Sequence, residues 1–413
     1  MVGAGGRPEG TRGVPGMSKD DLPALEGGRP VRERMLPYGR HELEEADIQA
    51  VVEVLRGEWL TNGPTVARFE QAFAEAVGAA FAVAFSSGTA ALHAAAFVAG
   101  IGPRDEVITS PLTFLASANC LLYCGARPVF ADIDPATLNL DPAKVQAALS
   151  PRTRAILPIH FAGLPCPMDA IHAIARSRTL AVIEDAAHAL GAEWDGRRIG
   201  SVSDLTTFSF HPVKHITTGE GGMVTGNDPA LAESLKRFRN HGIQREVRQR
   251  QATWVQDMVA FGFNYRLTDI HSALGLSQLR RLESRLARRG EIARQYHEAF
   301  AAMPEVTAAP TRRGTRHAWH IYPLLLNGEM LRRDREAIFQ ALRAENIGVG
   351  VHYLPVHLHP YYRERLGTGP GLCPAAEAAF ERLLTLPLFP GMSNADVSDV
   401  ITAVEKVIRW ARG

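Results

Sequence analysis

The chain has 413 residues, of which 46% are hydrophobic and 22% are charged, and its formal net charge is +1. This charge gives no electrostatic basis for binding nucleic acid or an anionic membrane surface. No apolar run approaches the ~20 residues that a membrane-spanning helix requires, and the N-terminus lacks the apolar block of a secretion signal. The composition therefore indicates a globular protein of enzyme size.

The four cysteines, at positions 120, 124, 166 and 373, do not have the two-residue spacing of a zinc knuckle. We expect them to be buried free thiols in a reducing compartment, and hence a cytoplasmic protein. No metal site is predicted.

The chain begins with residues 1–33, which are rich in glycine and proline and are predicted to form a flexible tail. An amphipathic helix is predicted over 42–57. We expect a large domain over 34–265 and a smaller C-terminal α/β domain over 266–413.

Short β-rich runs alternate with helical stretches through the first of these domains. The predicted strands are 81–86, 106–110, 128–133, 155–160, 181–185, 205–210 and 222–226, and helical segments such as 89–100 and 167–177 lie between most of them. Continuous apolar strands separated by helices are typical of a mostly parallel sheet that is covered on both faces. After a long helical stretch over 267–300, two more strands are predicted within 317–326 and 348–356, followed by a closing helix over 394–411.

The first candidate anion-binding site is in residues 84–97, AFSSGTAALHAAAF, where a predicted strand ends and a helix begins. The helix that follows presents unpaired N–H groups at its N-terminus, so Gly88 and Thr89 are candidates for holding a phosphate. Serine and threonine are also common helix caps, and the motif alone does not separate the two interpretations.

Two further strand ends carry candidate ligand groups. Phe114 follows the second predicted strand and is placed to stack on a planar ring, although core packing is the commoner fate of phenylalanine. Asp185 ends the strand in AVIEDAAHALGA, with His188 three residues later. A carboxylate there suits a ligand cation such as a protonated pyridine nitrogen, since ligands of open α/β sheets bind at the carboxyl ends of the strands. The alternative is an aspartate that caps the next helix.

Lys214 is unusual because the chain has only five lysines among its 45 Lys and Arg residues. Arginine carries charge equally well, but it does not lose its proton in proteins and cannot form an imine. Lys214 lies just past a strand that ends near Ser209, whose hydroxyl is placed to reach a phosphate. A leftover surface lysine is the alternative.

Together, a phosphate-binding helix terminus, a stacking aromatic ring, a strand-end aspartate and a scarce lysine match the requirements of pyridoxal 5′-phosphate (PLP). The lysine forms the Schiff base, the aspartate keeps the pyridine nitrogen protonated, and the helix terminus holds the phosphate.

The chain resembles the DegT/StrS-type nucleotide-sugar aminotransferases, which are PLP-dependent enzymes of fold type I. The most specific matching stretches are SSGTAALH, EDAAHALGA, FSFHPVKHITTGEGG and FNYRLTDIHSALGLSQL. The resemblance implies that Lys214 binds the cofactor covalently and that Asp185 contacts the pyridine nitrogen. It also implies the remaining cofactor contacts, with His188 at the phenolic oxygen, Phe114 on the ring, and Gly88, Thr89 and Ser209 at the phosphate. Asn264 would reach the phosphate from the neighbouring subunit, so a homodimer is expected.

Within that family the likeness extends to the aminotransferases of pseudaminic acid biosynthesis. It implies transfer of an amino group from L-glutamate, which leaves as 2-oxoglutarate, to the 4-keto group of a UDP-linked 4-keto-6-deoxy-N-acetyl sugar. The residues implied to contact the nucleotide sugar are Tyr38, Thr61, Ser87, His352 and Tyr353. Two residues depart from the pattern, because His215 stands in place of proline and Gly219 in place of alanine.

Three alternatives stay open. The first is an aminotransferase for another nucleotide keto-sugar, with a dTDP or GDP carrier or a different keto position. The second is a PLP-dependent sugar dehydratase, which Lys214 disfavours because such enzymes carry histidine at that position. The third is a catalytically silent regulator that retains the same fold.

Overall fold

A computed structural model describes residues 22–244 and 256–413 of the chain. The strands in chain order are β1 (Phe81–Phe85), β2 (Glu106–Thr109), β3 (Arg127–Phe130), β4 (Thr153–Leu157), β5 (Ala181–Asp185), β6 (Glu193–Trp194), β7 (Arg197–Arg198), β8 (Leu205–Ser209), β9 (Gly222–Gly226), β10 (Ile243–Gln244), β11 (Asp257–Met258), β12 (Val306–Thr307), β13 (Thr315–Arg316), β14 (Tyr322–Leu326) and β15 (Leu383–Leu386). Each of the seven strands predicted for the large sheet is present, and the predicted and observed ends differ by three residues at most.

The α-helices in chain order are α1 (Glu45–Arg56), α2 (Pro64–Val77), α3 (Gly88–Val98), α4 (Ala116–Tyr123), α5 (Pro142–Ala147), α6 (Met168–Arg178), α7 (Pro229–Phe238), α8 (Asp269–Leu279), α9 (Leu282–Phe300), α10 (Arg335–Ala344), α11 (Pro360–Leu366), α12 (Pro374–Arg382) and α13 (Asn394–Ala411). Short 3₁₀ helices lie at Ala24–Glu26, Phe161–Gly163, Gly328–Met330 and Val356–Leu358. Within the described ranges, no helix combines the length and the apolar character needed to cross a membrane.

The large sheet has seven strands in the order β1-β9-β8-β5-β4-β2-β3. Strand β9 is antiparallel to both of its neighbours, and the other adjacent pairs are parallel. The carboxyl ends of β1, β2, β5 and β8 therefore lie at the same edge of the sheet. This is the mostly parallel α/β sheet that the sequence predicted.

Successive side chains of each strand pack alternately into hydrophobic cores on the two faces of the sheet. In β1, Val83 and Phe85 pack into the core that contains helix α3, whereas Ala82 and Ala84 pack into the core that contains Phe73 of α2. Period-two alternation along an extended strand causes this division. The sheet is thus held rigidly between helical layers, so its carboxyl edge offers fixed positions for side chains.

The C-terminal part builds a separate small sheet, β12-β14-β15, whose core includes Tyr296 of α9 and Trp410 of α13. The strand predicted within 348–356 is wrong: this segment contributes only an isolated bridge from Gly350 to Thr385, and the strand lies at Leu383–Leu386 instead. The predicted closing helix over 394–411 is confirmed. The long helical stretch over 267–300 is divided into α8 and α9.

The predicted flexible tail over 1–33 needs correction for its last part. Backbone N–H groups of Ala24 and Val31 donate to the buried Glu345 carboxylate at 2.7 and 2.8 Å, and Glu345 also pairs with Lys406. Residues 1–21 lie outside the described part of the chain. The boundary near residue 265 between a large and a small domain stays a prediction.

Candidate active site

A cavity of about 470 Å³ opens at the carboxyl edge of the large sheet. Most of the site residues predicted from the sequence line it, namely Tyr38, Ser87, Gly88, Thr89, Phe114, Asp185, His188, Ser209, Lys214, His352 and Tyr353. These residues come from the ends of four strands and from two segments distant in sequence. The structure therefore brings the separate motifs into one site.

The anion-binding end of the cavity is the N-terminus of α3. Ser87 is the N-cap residue, and its hydroxyl accepts a hydrogen bond of 3.1 Å from the N–H of Ala90. The N–H groups of the first helical residues, Gly88 and Thr89, have no acceptor within the helix. A Cβ on Gly88 would lie 2.9 Å from Cβ of Ser209, so glycine lets the helix terminus approach the end of β8. The arrangement forms a cradle for an anionic group.

Asp185 ends β5 and is buried, with 5% of its surface exposed. Its Oδ1 accepts the N–H of Ala187 at 3.0 Å, and its Oδ2 accepts the hydroxyl of Ser117 at 2.6 Å. The Ser117 hydroxyl also lies 2.8 Å from that of Thr113. An ionised carboxylate has about four acceptor positions, so this one retains capacity for a cationic ring nitrogen.

Lys214 lies in the turn after β8, and its Nζ is 3.2 Å from Nε2 of His320. Burial lowers the pKa of Lys214 from 10.5 to about 8, with the charge of Arg289 acting in the same direction and that of Asp185 acting against it. An amine with this pKa has a substantial neutral fraction near neutral pH, as a nucleophile or base requires.

His188 lies between Tyr353 and His320. Its Nε2 is 3.2 Å from the hydroxyl of Tyr353, and its ring centroid is 4.2 Å from that of His320. Burial lowers the pKa of His188 well below its usual value, with the charge of Lys214 acting in the same direction, so the ring is neutral. Its buried Nδ1 has no hydrogen-bond partner among the described residues. Such an orphaned polar atom in a cavity wall is a natural contact for a polar group of a ligand.

The open side of the cavity carries aromatic and imidazole rings. Phe114 is 58% exposed, with its ring 6.1 Å from that of Tyr353. Tyr38 lies 5.2 Å from the ring of His352, whose Nδ1 is 2.9 Å from the Thr385 hydroxyl. Burial lowers the pKa of His352 to about 4. These uncharged flat groups suit a planar ligand and a sugar.

Two predicted residues, Thr61 and Asn264, do not line the cavity. Both are exposed, and they form isolated bridges with Thr268 and Asn240, respectively. Within one chain, therefore, neither residue reaches the cavity. Asn264 was expected to act on a neighbouring subunit, and that role stays a prediction.

The structure adds residues that the sequence interpretation missed. His320 was assigned only to a predicted strand, and Ser117 was passed over inside the stretch that follows Phe114. The pair of histidines in HAWHIY was a usable signal for the first, and the spacing of Thr113 and Ser117 by one helical turn for the second.

His215 has a structural explanation. It is buried, and its Nε2 donates to the carbonyl of Ala318 at 2.9 Å. It therefore ties the turn after β8 to the segment that carries His320. Among residues 22–244 and 256–413, no group of three His, Cys, Asp or Glu side chains is arranged to hold a metal ion.

Comparisons with known proteins give one consistent family. The profile of the DegT/DnrJ/EryC1/StrS aminotransferase family matches residues 41–405. The spore coat polysaccharide biosynthesis protein SpsC of Bacillus subtilis is 44% identical over 384 residues, covering 92% of this chain and 99% of SpsC.

Solved structures agree with that family. PseC of Helicobacter pylori, an aminotransferase involved in the biosynthesis of pseudaminic acid, superposes with a TM-score of 0.86 at 31% identity, covering 91% of this chain and 100% of PseC. A putative sugar aminotransferase of Streptococcus pneumoniae in its PMP form superposes with a TM-score of 0.87 at 30% identity, covering 91% of this chain and 100% of that one.

Proposed function

This chain belongs to the DegT/DnrJ/EryC1/StrS aminotransferase family, and we propose that it transfers the amino group of L-glutamate to the 4-keto group of a UDP-linked 4-keto-6-deoxy-N-acetyl sugar. The product is UDP-4-amino-4,6-dideoxy-N-acetyl-β-L-altrosamine, in the pathway to pseudaminic acid. The observation that carries the proposal is the buried Lys214 amine in one cavity with Asp185 and the terminus of α3. The likeness to PseC over 91% of the chain supports the choice of sugar.

The cofactor is PLP, since aminotransferases of this family use it. The residues present fit this group. The helix terminus at Gly88 and Thr89 suits a phosphate, the carboxylate of Asp185 suits a protonated ring nitrogen, and the orphaned Nδ1 of His188 lies in the same buried wall. PLP supplies a pyridinium ring that accepts the electron pair released when the bond from the α-carbon to hydrogen breaks.

Each protein group has a defined task in this proposal. Gly88, Thr89 and Ser209 would bind the phosphate, Phe114 would stack on the ring, and His188 would contact the phenolic oxygen. Asp185 would keep the ring nitrogen protonated, because its carboxylate is buried and anchored by Ser117. A buried carboxylate of this kind favours the protonated form of an adjacent base.

Lys214 is the group that moves protons. When its amine is free, the neutral Nζ takes a proton from the α-carbon of glutamate, and the resulting ammonium serves as the acid for the next proton delivery. Water would supply the keto oxygen of the departing 2-oxoglutarate while the amino group stays on the cofactor, and the reverse sequence would move the amino group to the keto sugar and release water. Arginine at this position would stay protonated and could not act as the base.

The nucleotide sugar contacts are proposed to come from the open side of the cavity. Tyr38, His352 and Tyr353 line that side, and Ser87 lies at the α3 end of the cavity. Thr61 is proposed as a further contact, although it lies outside the cavity of its own chain. A neutral His352 beside two tyrosines offers hydrogen-bond donors and acceptors to a sugar without a net charge.

A different nucleotide keto-sugar is the second candidate substrate. The identity to SpsC, 44%, exceeds the 31% identity to PseC, and SpsC is named for a spore coat polysaccharide. A panel of UDP-, dTDP- and GDP-linked keto sugars with glutamate, with products identified by NMR, distinguishes the two. Selective amination of the UDP-linked 4-keto sugar supports the proposal, and selective amination of a dTDP- or GDP-linked sugar contradicts it.

The visible absorption spectrum of the purified protein distinguishes an active enzyme from a catalytically silent regulator with the same fold. The active enzyme is expected to absorb visible light when purified with its cofactor, and this absorption changes when glutamate is added. A colourless protein that takes up no PLP would contradict the enzyme assignment.

We also propose a homodimer in which Asn264 reaches the phosphate bound by the partner. The exposure of Asn264 away from its own cavity supports this arrangement. A cytoplasmic location is proposed because all four cysteines are free thiols, as expected in a reducing compartment.

A further inference from the structure

The hydrogen bond that the structure gives to the Lys214 amine is with an imidazole. Nζ lies 3.2 Å from Nε2 of His320, which is buried, with 5% of its surface exposed. The side chain of His320 makes this contact from a segment more than a hundred residues away in sequence. Its position is therefore set by tertiary structure and not by the turn that carries Lys214.

Several contacts fix the segment that carries His320. The N–H of His320 donates to the carbonyl of Ala162 at 2.9 Å. Arg289 of α9 donates from Nη1 to the carbonyls of Trp319, His320 and Leu388 at 3.0, 3.1 and 3.0 Å. Three carbonyls converging on one guanidinium nitrogen leave the main chain at residues 319–320 little freedom.

Arg289 is itself unusual, because it is 1% exposed and no carboxylate of the described residues lies within ion-pair distance of it. Buried arginines are normally paired with an acid, since an uncompensated buried charge is costly. Here the guanidinium of Arg289 is hydrogen-bonded to carbonyl groups, and no carboxylate among the described residues neutralises its charge, which acts on Lys214. This charge opposes protonation of the amine.

Two acids line the cavity with Lys214, the buried Asp185, whose charge raises the pKa of the amine, and the exposed Glu220. The other ionisable groups there are Tyr38, Tyr353 and histidines. Burial lowers the pKa of His188, His211, His215 and His320 below the usual value and that of His352 to about 4. A neutral imidazole can hold an amine through a hydrogen bond. It stabilises the ammonium form far less than a carboxylate in the same place would.

We propose that His320 is a positioning residue for Lys214: it holds the free amine at the cavity wall without locking it in the ammonium form. The inference rests on the proposed role of Lys214 as the reactive amine. It extends that role by naming the group that keeps Nζ in place and available as a base whenever it is not covalently linked. The contact is exchangeable, because a single hydrogen bond to a neutral ring is weak enough to be replaced.

The test measures the pH at which the Lys214 amine becomes half neutral, in the full-length protein from which the cofactor has been removed. Acetic anhydride labels neutral amines, and peptide mass spectrometry over a pH series gives the midpoint of labelling for each lysine. Exposed Lys236, paired with Glu233, is the internal reference. The variants are His320→Leu, which removes the partner, His320→Gln, which keeps a polar partner, and His320→Glu, which supplies a charge.

The proposal expects an ordered series of midpoints. His320→Glu raises the midpoint of Lys214 by about 1 unit or more, as an adjacent opposite charge does. His320→Gln stays near the wild type, and His320→Leu falls below it because the ammonium loses its acceptor. The control His172→Gln, on α6 outside the cavity, leaves the midpoint unchanged. Equal midpoints in all three His320 variants would overturn the proposal.

A second measurement keeps the test independent of folding defects. In the enzyme loaded with PLP, His320→Leu is expected to lower kcat at least tenfold with little change in KM for glutamate, and His320→Gln to recover most of it. A loss that Gln does not rescue, or a change confined to KM, overturns the inference. Failure of the proposed function is distinguishable. If Lys214 is not the reactive amine, the wild-type protein would not bind PLP there, and if only the sugar differs, the half-reaction with glutamate would be unchanged; in both cases the order of midpoints can still be measured.

Discussion

Ser117 donates a hydrogen bond of 2.6 Å to Oδ2 of Asp185, and a second hydroxyl, that of Thr113, lies 2.8 Å from Ser117. The bonds join the helix that follows Phe114 to the end of β5. They fix the carboxylate that is proposed to hold the cofactor ring nitrogen. The orientation of Asp185, at the end of β5, therefore depends on residues that follow β2.

Loss of the Ser117 hydroxyl is expected to leave the Asp185 carboxylate less firmly oriented toward the cofactor ring nitrogen. A hydrogen bond to a charged group contributes about 1.5–3 kcal/mol, so Ser117→Ala should lower kcat/KM for glutamate by roughly tenfold or more. Thr113→Val is the matched control, because it removes the hydroxyl one step further from Asp185 and should cost less. Steady-state kinetics of both variants check the order. A larger loss in Thr113→Val than in Ser117→Ala would contradict the arrangement.

Asp185→Asn keeps the shape of the side chain but removes its charge. Without that charge the bound ring nitrogen is less readily protonated, and the catalytic rate should fall by at least about tenfold, since the lost contact is a hydrogen bond between charged groups. The half-reaction with glutamate, followed by absorption, measures it. Asp204→Asn is a control, because Asp204 lies outside the cavity, where its Oδ2 accepts the N–H of Val182. Unchanged rates in Asp185→Asn would refute the role.

Phe114→Ala is expected to weaken PLP binding. Aromatic pairs contribute about 0.5–1.5 kcal/mol beyond the buried area, so the dissociation constant should rise by roughly threefold to tenfold or more. Phe114→Tyr keeps the ring and should bind nearly as the wild type does. Fluorescence titration of the cofactor-free protein gives both constants. Equal affinities for the alanine and wild-type proteins would exclude stacking by Phe114.

The pH dependence of cofactor uptake follows from the lowered pKa of Lys214. Only the neutral amine attacks the aldehyde of PLP, and burial brings the pKa from 10.5 to about 8. The neutral fraction, and hence the rate of uptake, should rise with pH, reach half of its maximum at about pH 8 and level off about one unit higher. Stopped-flow absorption measures the profile. A rate that continues to rise toward pH 10 would indicate an ordinary exposed lysine.

Asn264 is tested by mixing two inactive variants. If Asn264 serves the partner's site, a dimer of Lys214→Ala with Asn264→Ala contains one intact site, and random mixing should restore about a quarter of the wild-type activity. Activity is measured after the mixed variants have exchanged subunits. If Asn264 acts in its own subunit, no mixture regains activity beyond that of its components.

The sequence predicts the large sheet well because its signals are local. Each strand is a short apolar run with a polar strand end, so the order of motifs and the parallel arrangement follow from periodicity and from the rules of α/β sheets. Asp185 and Lys214 were identified in this way, and both line the cavity.

The remaining residues depend on contacts that periodicity does not encode. His320 contacts Lys214 only through tertiary packing, and Arg289 holds the main chain of His320 in the same way. Arg289 belongs to an arginine-rich helical stretch that has the composition of an exposed face, although this side chain is buried. Similarly, the segment 348–356 has the composition of a strand, but it pairs only at Gly350, because β15 occupies the place beside β14.

Covalent attachment of PLP to Lys214 is the central claim. The purified protein is reduced with borohydride, digested and analysed by peptide mass spectrometry. The account predicts a pyridoxyl group on the peptide that contains Lys214. Its absence there, or its presence on Lys19, Lys144, Lys236 or Lys406 instead, would contradict the account.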